Sequence, residues 1–224
     1  MAEHAVSMRG VSKRFGAGRG ARTVLDGVDL DVRPGEMVAI LGRSGTGKST
    51  LLHLIGGLDR ADAGTITVAG IRVDRLGESA LTDLRRHRVG FVFQFFHLLP
   101  ELTGRENVCL PTRLAGDGRA GQTRADLLIA RLGVTDVAGQ LPTTMSGGEQ
   151  QRLAIARALV HSPDVVLADE PTGNLDQESG HTVLRLLREI ADEGRAVVVV
   201  THDREAAQLA DRMLSLRDGR LQAA

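Results

Sequence analysis

The sequence predicts an α/β fold, a parallel-sheet core carrying an inserted α-helical subdomain around residues 95–145. Two observations predict it. Unbroken apolar runs (Met37 to Leu41, Val165 to Ala168, Val197 to Val200) alternate with segments of helical spacing, and strands apolar on both faces belong to parallel sheets covered on both sides. After Phe95 such runs stop and the pattern turns helical as far as Met145. At 224 residues there is room for one domain of this kind, and an apolar content of 42% supplies a sizeable core.

The elements follow in order. Val24 to Val32 alternates as a strand, and Arg33-Pro34-Gly35 reads as a turn. Met37 to Leu41 runs into a glycine-rich loop, and a helix is expected from about Lys48 to Ile55. Ile66 to Val68 and Val89 to Phe93 are further strands. In the insert, Thr103 and Glu106 have capping-box spacing ahead of Val108 and Leu110, and Leu127, Leu128, Arg131 and Leu132 share one face of a second helix. Val183, Leu186, Leu187 and Ile190 recur at i, i+3, i+4, i+7, with Gly194 placed to end that helix. Asp218-Gly219 closes a hairpin.

Lys+Arg and Asp+Glu balance at 28 each, so no nucleic-acid partner is expected. Met1 to His4 lacks a basic start before an apolar run, and no apolar run approaches the roughly 20 residues of a membrane span. The lone Cys109 fits a reducing compartment. A soluble cytosolic protein is expected. Every basic residue except Lys13 and Lys48 is Arg, which suggests that position 48 needs a compact ammonium on a flexible stem.

The surroundings of Lys48 say why. Gly42-Arg43-Ser44-Gly45-Thr46-Gly47-Lys48-Ser49, followed by Thr50, matches the phosphate-binding loop G-x-x-x-x-G-K-[ST] in its required place between a strand and a helix. Glycines let the backbone curl so that successive N–H groups face phosphate oxygens, and the helix N-terminus adds its positive end. Lys48 would reach the β- and γ-phosphates and the Ser49 hydroxyl would bind Mg²⁺. An ordinary glycine-rich turn is the alternative, and the strand–loop–helix context speaks against it. Farther on, an apolar strand carries Asp169 to its carboxyl end, where open α/β sheets place ligands, and Asp169 would hold Mg²⁺ while Glu170 polarises the attacking water. Taken alone, Asp169-Glu170-Pro171 reads equally as a polar strand end.

Met145-Ser146-Gly147-Gly148-Glu149-Gln150-Gln151-Arg152 resembles the signature sequence of ABC-type ATPases, usually Leu-Ser-Gly-Gly-Gln. Ser146 and Glu149 have capping-box spacing, so Ser146 would cap a helix through Ile155 and Leu159 whose bared N-terminal N–H groups favour an anion. The resemblance covers nearly the whole chain. Gln94 matches the Q-loop glutamine, Gly173-Asn174-Leu175-Asp176 the D-loop, His202 the switch histidine and Phe15 the aromatic that stacks on adenine. The resemblance implies an ABC-type P-loop NTPase domain with an N-terminal antiparallel β part. Residues 1–94 and 146–224 would form the core and about 95–145 the helical subdomain of a single domain spanning 1–224. Met145 and Glu149 depart from the commonest signature. Met is volume-conserving, and the Glu149 carboxylate is expected to turn back onto its own helix.

It further implies an ATPase that uses ATP and Mg²⁺. Lys48, Glu170 and His202 would be catalytic. Loop residues 42–50, Phe15 and Gln94 would contact ATP in one subunit; Ser49, Gln94 and Asp169 would hold the metal. Ser146, Gly147, Gly148, Glu149 and Asp176 would reach the ATP of a second copy in a head-to-tail dimer. The chain ends soon after the core, so membrane permease subunits are expected on other chains, with this protein peripheral on the inner face of the membrane. Ser49 to Asp59, Gln94 to Pro100 and Leu167 to Asp176 are most similar to the LolD/MacB/FtsE-like group, which implies export or lipoprotein release; a cell-division regulator using the same cycle is the alternative. Phe91 and Phe93 are expected in the core, while the remaining apolar residues of Phe91 to Pro100 could line a groove for a permease helix. A ribosome- or DNA-directed ABC protein would carry two cassettes or a long coiled-coil insertion.

Overall fold

The computed structural model describes residues 3–16 and 18–224; at Arg19, Glu205 and Ala206 only the backbone is described. Two sheets organise the chain. The antiparallel sheet has β1 (Val6–Phe15), β2 (Arg22–Val32), β4 (Ala63–Val68) and β5 (Ile71–Arg72) in the order β2-β1-β4-β5. The other contains β3 (Met37–Leu41), β6 (Val89–Val92), β7 (Val165–Asp169), β8 (Ala196–Thr201), β9 (Arg212–Arg217) and β10 (Arg220–Ala223) in the order β10-β9-β3-β8-β7-β6. It is parallel except for β10, which returns along β9 through Asp218-Gly219. The helices are α1 (Lys48–Ile55), α2 (Glu78–His87), α3 (Gly104–Ala115), α4 (Gly118–Arg131), α5 (Gly147–Leu159), α6 (Gln177–Asp192) and α7 (Arg204–Ala207).

Alternation along the central strands divides the interior into two cores. Val38, Ile40, Val165, Leu167, Val198 and Val200 face α1 and the antiparallel sheet. Met37, Val166, Ala168, Val197 and Val199 face the opposite way, toward α3, α5 and α6. These strands are apolar at both parities because helices or a second sheet cover both faces. The insert shares the second core: Val108, Cys109, Ala125 and Ile129 pack in one cluster with strands β7 and β8.

Strand β1 carried little alternating signal, and its geometry explains why. Its buried residues are Val6, Met8, Val11 and Lys13, and the pairing with β2 shifts register between Met8 and Val11, around Gly10 at φ +59°. A bulge slips the period of two by one residue. Helix α2 lies in a stretch given no element, since it buries only Leu81 and Leu84.

The expected face of α4 is half right: Leu132 is buried and Leu128 packs against the second core, but the other two residues point outward. Leu127 is 66% exposed and Arg131 pairs at the surface with Glu193, while Gly121, Ala125 and Ile129 are buried. Small residues allow α4 close to its neighbours: a Cβ on Gly121 would meet Thr112 Cβ of α3 at 2.4 Å. Tight helix contact turns the buried stripe toward Gly121 and Ala125, with Leu128 and Leu132 at its border and Leu127 and Arg131 left outside. The insert is also less helical than expected. Residues 95–103 form an irregular loop with Phe96 and His97 at positive φ, and only a short 3-10 turn (Pro142–Thr144) lies between residue 132 and Ser146.

Candidate functional site

Strand β3 delivers the chain into the loop at residues 42–47. Gly47, at φ +106°, turns that loop into α1, and a Cβ there would lie 2.6 Å from Val24 Cγ1. Only glycine fits both the conformation and the approach to β2. Arg22 Nη2 donates to Gly45 O at 3.1 Å, so β2 supports the loop from outside. Neither Val24 nor Arg22 was singled out from the sequence, because neither bears a motif. Lys48 opens α1 with its side chain buried; its Nζ donates to Gly42 O at 2.8 Å and Arg43 O at 3.2 Å.

Strand β7 brings Asp169 to the same end of the sheet, and Glu170 follows at φ +44°. A non-glycine residue held there is strained by about 1–3 kcal/mol. Two backbone bonds hold it: Glu170 N–H donates to Val200 O at 2.9 Å, and Gly173 N–H donates to Glu170 O at 3.0 Å. The carboxylate is thereby aimed at the loop. Its Oε1 lies 3.2 Å from Lys48 Nζ, and its Oε2 accepts from His202 Nδ1–H at 2.9 Å and His202 N–H at 3.2 Å.

These groups share one cleft of 730 Å³. It is lined by Arg43, Ser44, Gly45, Gly47, Lys48, Ser49 and Thr50 from the loop side, with Gln94, Asp169, Glu170 and His202 facing them and Phe15 and Val24 at one edge. Gly42 and Thr46 belong to the same loop but line a neighbouring cleft. Phe15 is 45% exposed, with Lys13 Nζ 5.1 Å from its ring centroid; it is a surface ring and not a core one. Ser49, Gln94 and Asp169 present a hydroxyl, an amide and a carboxylate, the all-oxygen donor set that suits a hard dication such as Mg²⁺.

Ser146, Gly147, Gly148, Glu149 and Asp176 do not line this cleft. Ser146 caps α5 in a full capping box: Glu149 N–H donates to Ser146 Oγ, and Glu149 Oε2 accepts from Ser146 N–H and Oγ–H, both at 2.8 Å. The Ser146 hydroxyl and then its N–H hold the Glu149 carboxyl below its ordinary value. The expected turn of Glu149 onto its own helix is thus present. Asp176 caps α6 through Ser179 N–H at 2.9 Å. Gly148 sits against that cap, where a Cβ would meet Ser179 Oγ at 2.7 Å. Asn174 Nδ2–H donates to Gln94 O at 2.9 Å, tying this corner to the cleft.

The core expectation for Phe91 and Phe93 is corrected in part: Phe91 is half-buried but packs against the first core, whereas Phe93 is half-buried outside it. Their rings stack at 5.4 Å, Phe91 on the edge strand β6 and Phe93 just past its end, and line a groove of 250 Å³ with Arg85, Pro111 and Arg157; Phe95 is 70% exposed. Arg157, which sequence reasoning missed, reaches from α5 to donate to Phe96 O at 2.8 Å and also to His97 O. Burial holds its guanidinium below the ordinary value.

A family model described as ABC transporter matches residues 25–173. Among curated proteins the chain is 49% identical over 221 residues to the macrolide export ATP-binding/permease protein MacB of Nitrosomonas europaea, covering 97% of this chain and 33% of that protein. It is 47% identical over 220 residues to MacB of Rhodopseudomonas palustris strain HaA2, covering 98% and 34%. The chain therefore spans about a third of the length of these relatives. Among solved structures, the dimeric bacterial ABC transporter cassette MJ0796 aligns with a TM-score of 0.88 at 39% identity, covering 97% of this chain and 96% of that one. The same cassette in a post-hydrolysis state bound to ADP and Pi aligns with a TM-score of 0.88 at 38% identity, covering 97% and 98%.

Proposed function

The chain belongs to the ABC transporter family as an ATPase cassette, and from that premise we propose how its residues divide the work of an ATP-driven motor for a membrane permease. The observation that carries the reading is the position of the Glu170 carboxylate, between Lys48 Nζ at 3.2 Å and His202 Nδ1 at 2.9 Å at the mouth of the phosphate-binding loop.

The triphosphate lies along the N–H groups of residues 43–49 and the positive end of α1, with Lys48 on the β- and γ-oxygens. Adenine stacks on Phe15. Ser49, Asp169 and Gln94 would hold Mg²⁺, which would supply positive charge to offset the charge developing on the phosphate oxygens. Glu170 orients a water and takes its proton as the water oxygen bonds to the γ-phosphorus and the bond to the ADP oxygen breaks. The His202 ring, steadied through Nδ1, leaves Nε2 to face the γ-phosphate.

Ser146, Gly147, Gly148 and Asp176 serve the ATP of a second copy, because they lie off their own chain's cleft and because the similar cassette MJ0796 is dimeric. ATP then joins the two copies and hydrolysis parts them, an interface with two states used as a stroke. Residues 1–94 and 146–224 form the core that binds nucleotide, and residues 95–145 carry the motion outward. The partner is a permease of the LolD/MacB type, working in export or lipoprotein release, whose cytoplasmic helix docks in the groove beside Phe91 and Phe93. No helix among the described residues is long and apolar enough to cross a membrane. In this reading the chain is held on the inner face of the cell membrane through that permease.

Glu170→Gln tests the reading. We expect kcat for ATP hydrolysis to fall at least ~100-fold, and the variant to elute as an ATP-bound dimer in size exclusion with Mg-ATP. A variant that stays monomeric and hydrolyses ATP at the parent rate overturns it.

A further inference from the structure

Helix α5 touches the catalytic strand as well as the loop before it. Its second turn carries Gln151, whose side chain is fully buried. Gln151 Nε2–H donates to Pro171 O at 2.8 Å, while Gln151 Oε1, equally buried, has no partner. The carbonyl of Pro171 only accepts, so the amide is oriented with Nε2 toward it. A fully buried amide with half its capacity unmet is unfavourable compared with a methionine or leucine of similar volume. Packing therefore does not account for glutamine here; the bond to Pro171 does.

Pro171 directly follows Glu170, the residue at φ +44° whose carboxylate lies between Lys48 and His202. The Glu170–Pro171 link is held from one side by Val200 O on Glu170 N–H, and from the other by Gln151 on Pro171 O. One turn earlier on α5, Gly147 and Gly148 pack against Leu175 and Ser179, so α5 grips the corner at 171–179 at two levels.

We propose that Gln151 is a positioning residue that ties the signature helix to Glu170, so that engagement of Ser146 to Gly148 with the ATP of one site sets the general base of the other. The proposal rests on the dimeric ATPase reading above. α5 runs unbroken from the capping box to Gln151, so a small tilt at its N-terminus would be carried to the Pro171 carbonyl and, through it, to the strained backbone of Glu170. The two sites of a dimer are then coupled through each chain's own α5.

The test is made on the purified chain with Mg-ATP. Gln151→Met keeps the volume and removes the donor. The expected result is a kcat lowered 10- to 100-fold with KM for ATP within about twofold of the parent, and a Hill coefficient falling toward one. On a Glu170→Gln background the same change should have no further effect on the ATP-trapped dimer. Gln151→Glu adds a readout that a packing role would not move: a protonated carboxyl can donate to Pro171 O and an ionised one cannot, so its kcat relative to the parent should rise as pH falls. A Gln151→Met protein with parent kcat and cooperativity, or a Gln151→Glu ratio that is flat with pH, overturns the proposal. If Glu170→Gln itself hydrolyses ATP like the parent, it is the assignment of Glu170 that has failed, and the two failures are distinguishable.

Discussion

Glu149 shows how a single residue can depart from a motif and keep its physics. A carboxylate at the third position of α5 lies where the helix N-terminus favours negative charge, and it accepts from both Ser146 N–H and Ser146 Oγ–H at 2.8 Å. The charge is absorbed locally, directed into the helix that bears it. Gln in its place would keep the capping geometry and give up the charge-assisted part of those bonds. Glu149→Gln is expected to lower stability by about 0.5–1 kcal/mol in urea unfolding. In the proposed dimer it would also remove a negative charge near the partner's triphosphate, so ATP-dependent dimerisation should tighten a few-fold. Weaker dimerisation in analytical ultracentrifugation would show that the carboxylate itself takes part in the interface.

Among the elements, the hairpin of β4 and β5 depends on one side chain from the 3-10 turn that follows it. Asp74 accepts from Ile66 N–H of β4 at 3.0 Å and from Arg72 Nε and Nη2 of β5 at 2.9 and 2.6 Å. Arg72 first, opposed by partial burial and helped by Ile66 N–H, holds its carboxyl at about 2, against an ordinary 3.8. A depressed carboxyl stabilises the fold above its unfolded value, and the benefit disappears as pH falls from about 4 to about 2. Asp74→Asn should therefore cost on the order of 1–2 kcal/mol at pH 7, with the gap to the parent closing across that acid window. A gap that is constant between pH 5 and pH 2 would mean the carboxylate charge is not what matters. The same scale explains α5: Ser146 caps its start, Gln151 grips Pro171 from its second turn, and Arg157 holds Phe96 and His97 from its last. One helix thus carries the signature and reaches both the residue after Glu170 and the loop after Gln94.

At the scale of the whole molecule, each chain presents a cleft with the phosphate-binding loop and, away from it, a capped helix end. In the proposed dimer these two features would face each other between copies related by a twofold axis. Mixing Lys48→Ala subunits with Ser146→Arg subunits tests it, since each homodimer lacks one half of both sites and a heterodimer retains one complete site. Random pairing should recover about a quarter of the parent's occluded nucleotide, half the dimers with one of two sites each. Recovery of none, with both variants folded, would count against pairing in trans.

What the sequence by itself determined were the features made by consecutive residues. The loop at 42–49, the helix at Lys48–Ile55, the capping boxes at Thr103 and Ser146, and the strand ending in Asp169 are local, because backbone conformation and a few neighbouring side chains suffice to specify them. Strand β1 was obscured because its bulge breaks the period, and the buried stripe of α4 was only half legible because its tight neighbours favour Gly121 and Ala125 where Leu127 was expected. Only the tertiary structure decided that Val24 lies under Gly47, that Phe91 lies on an edge strand with Phe93 stacked beside it, and that Arg157 and Gln151 hold distant carbonyls. The physical reason is that every residue carries a carbonyl and most surfaces accept an apolar neighbour, so such contacts leave no mark on the chain until folding brings particular partners together.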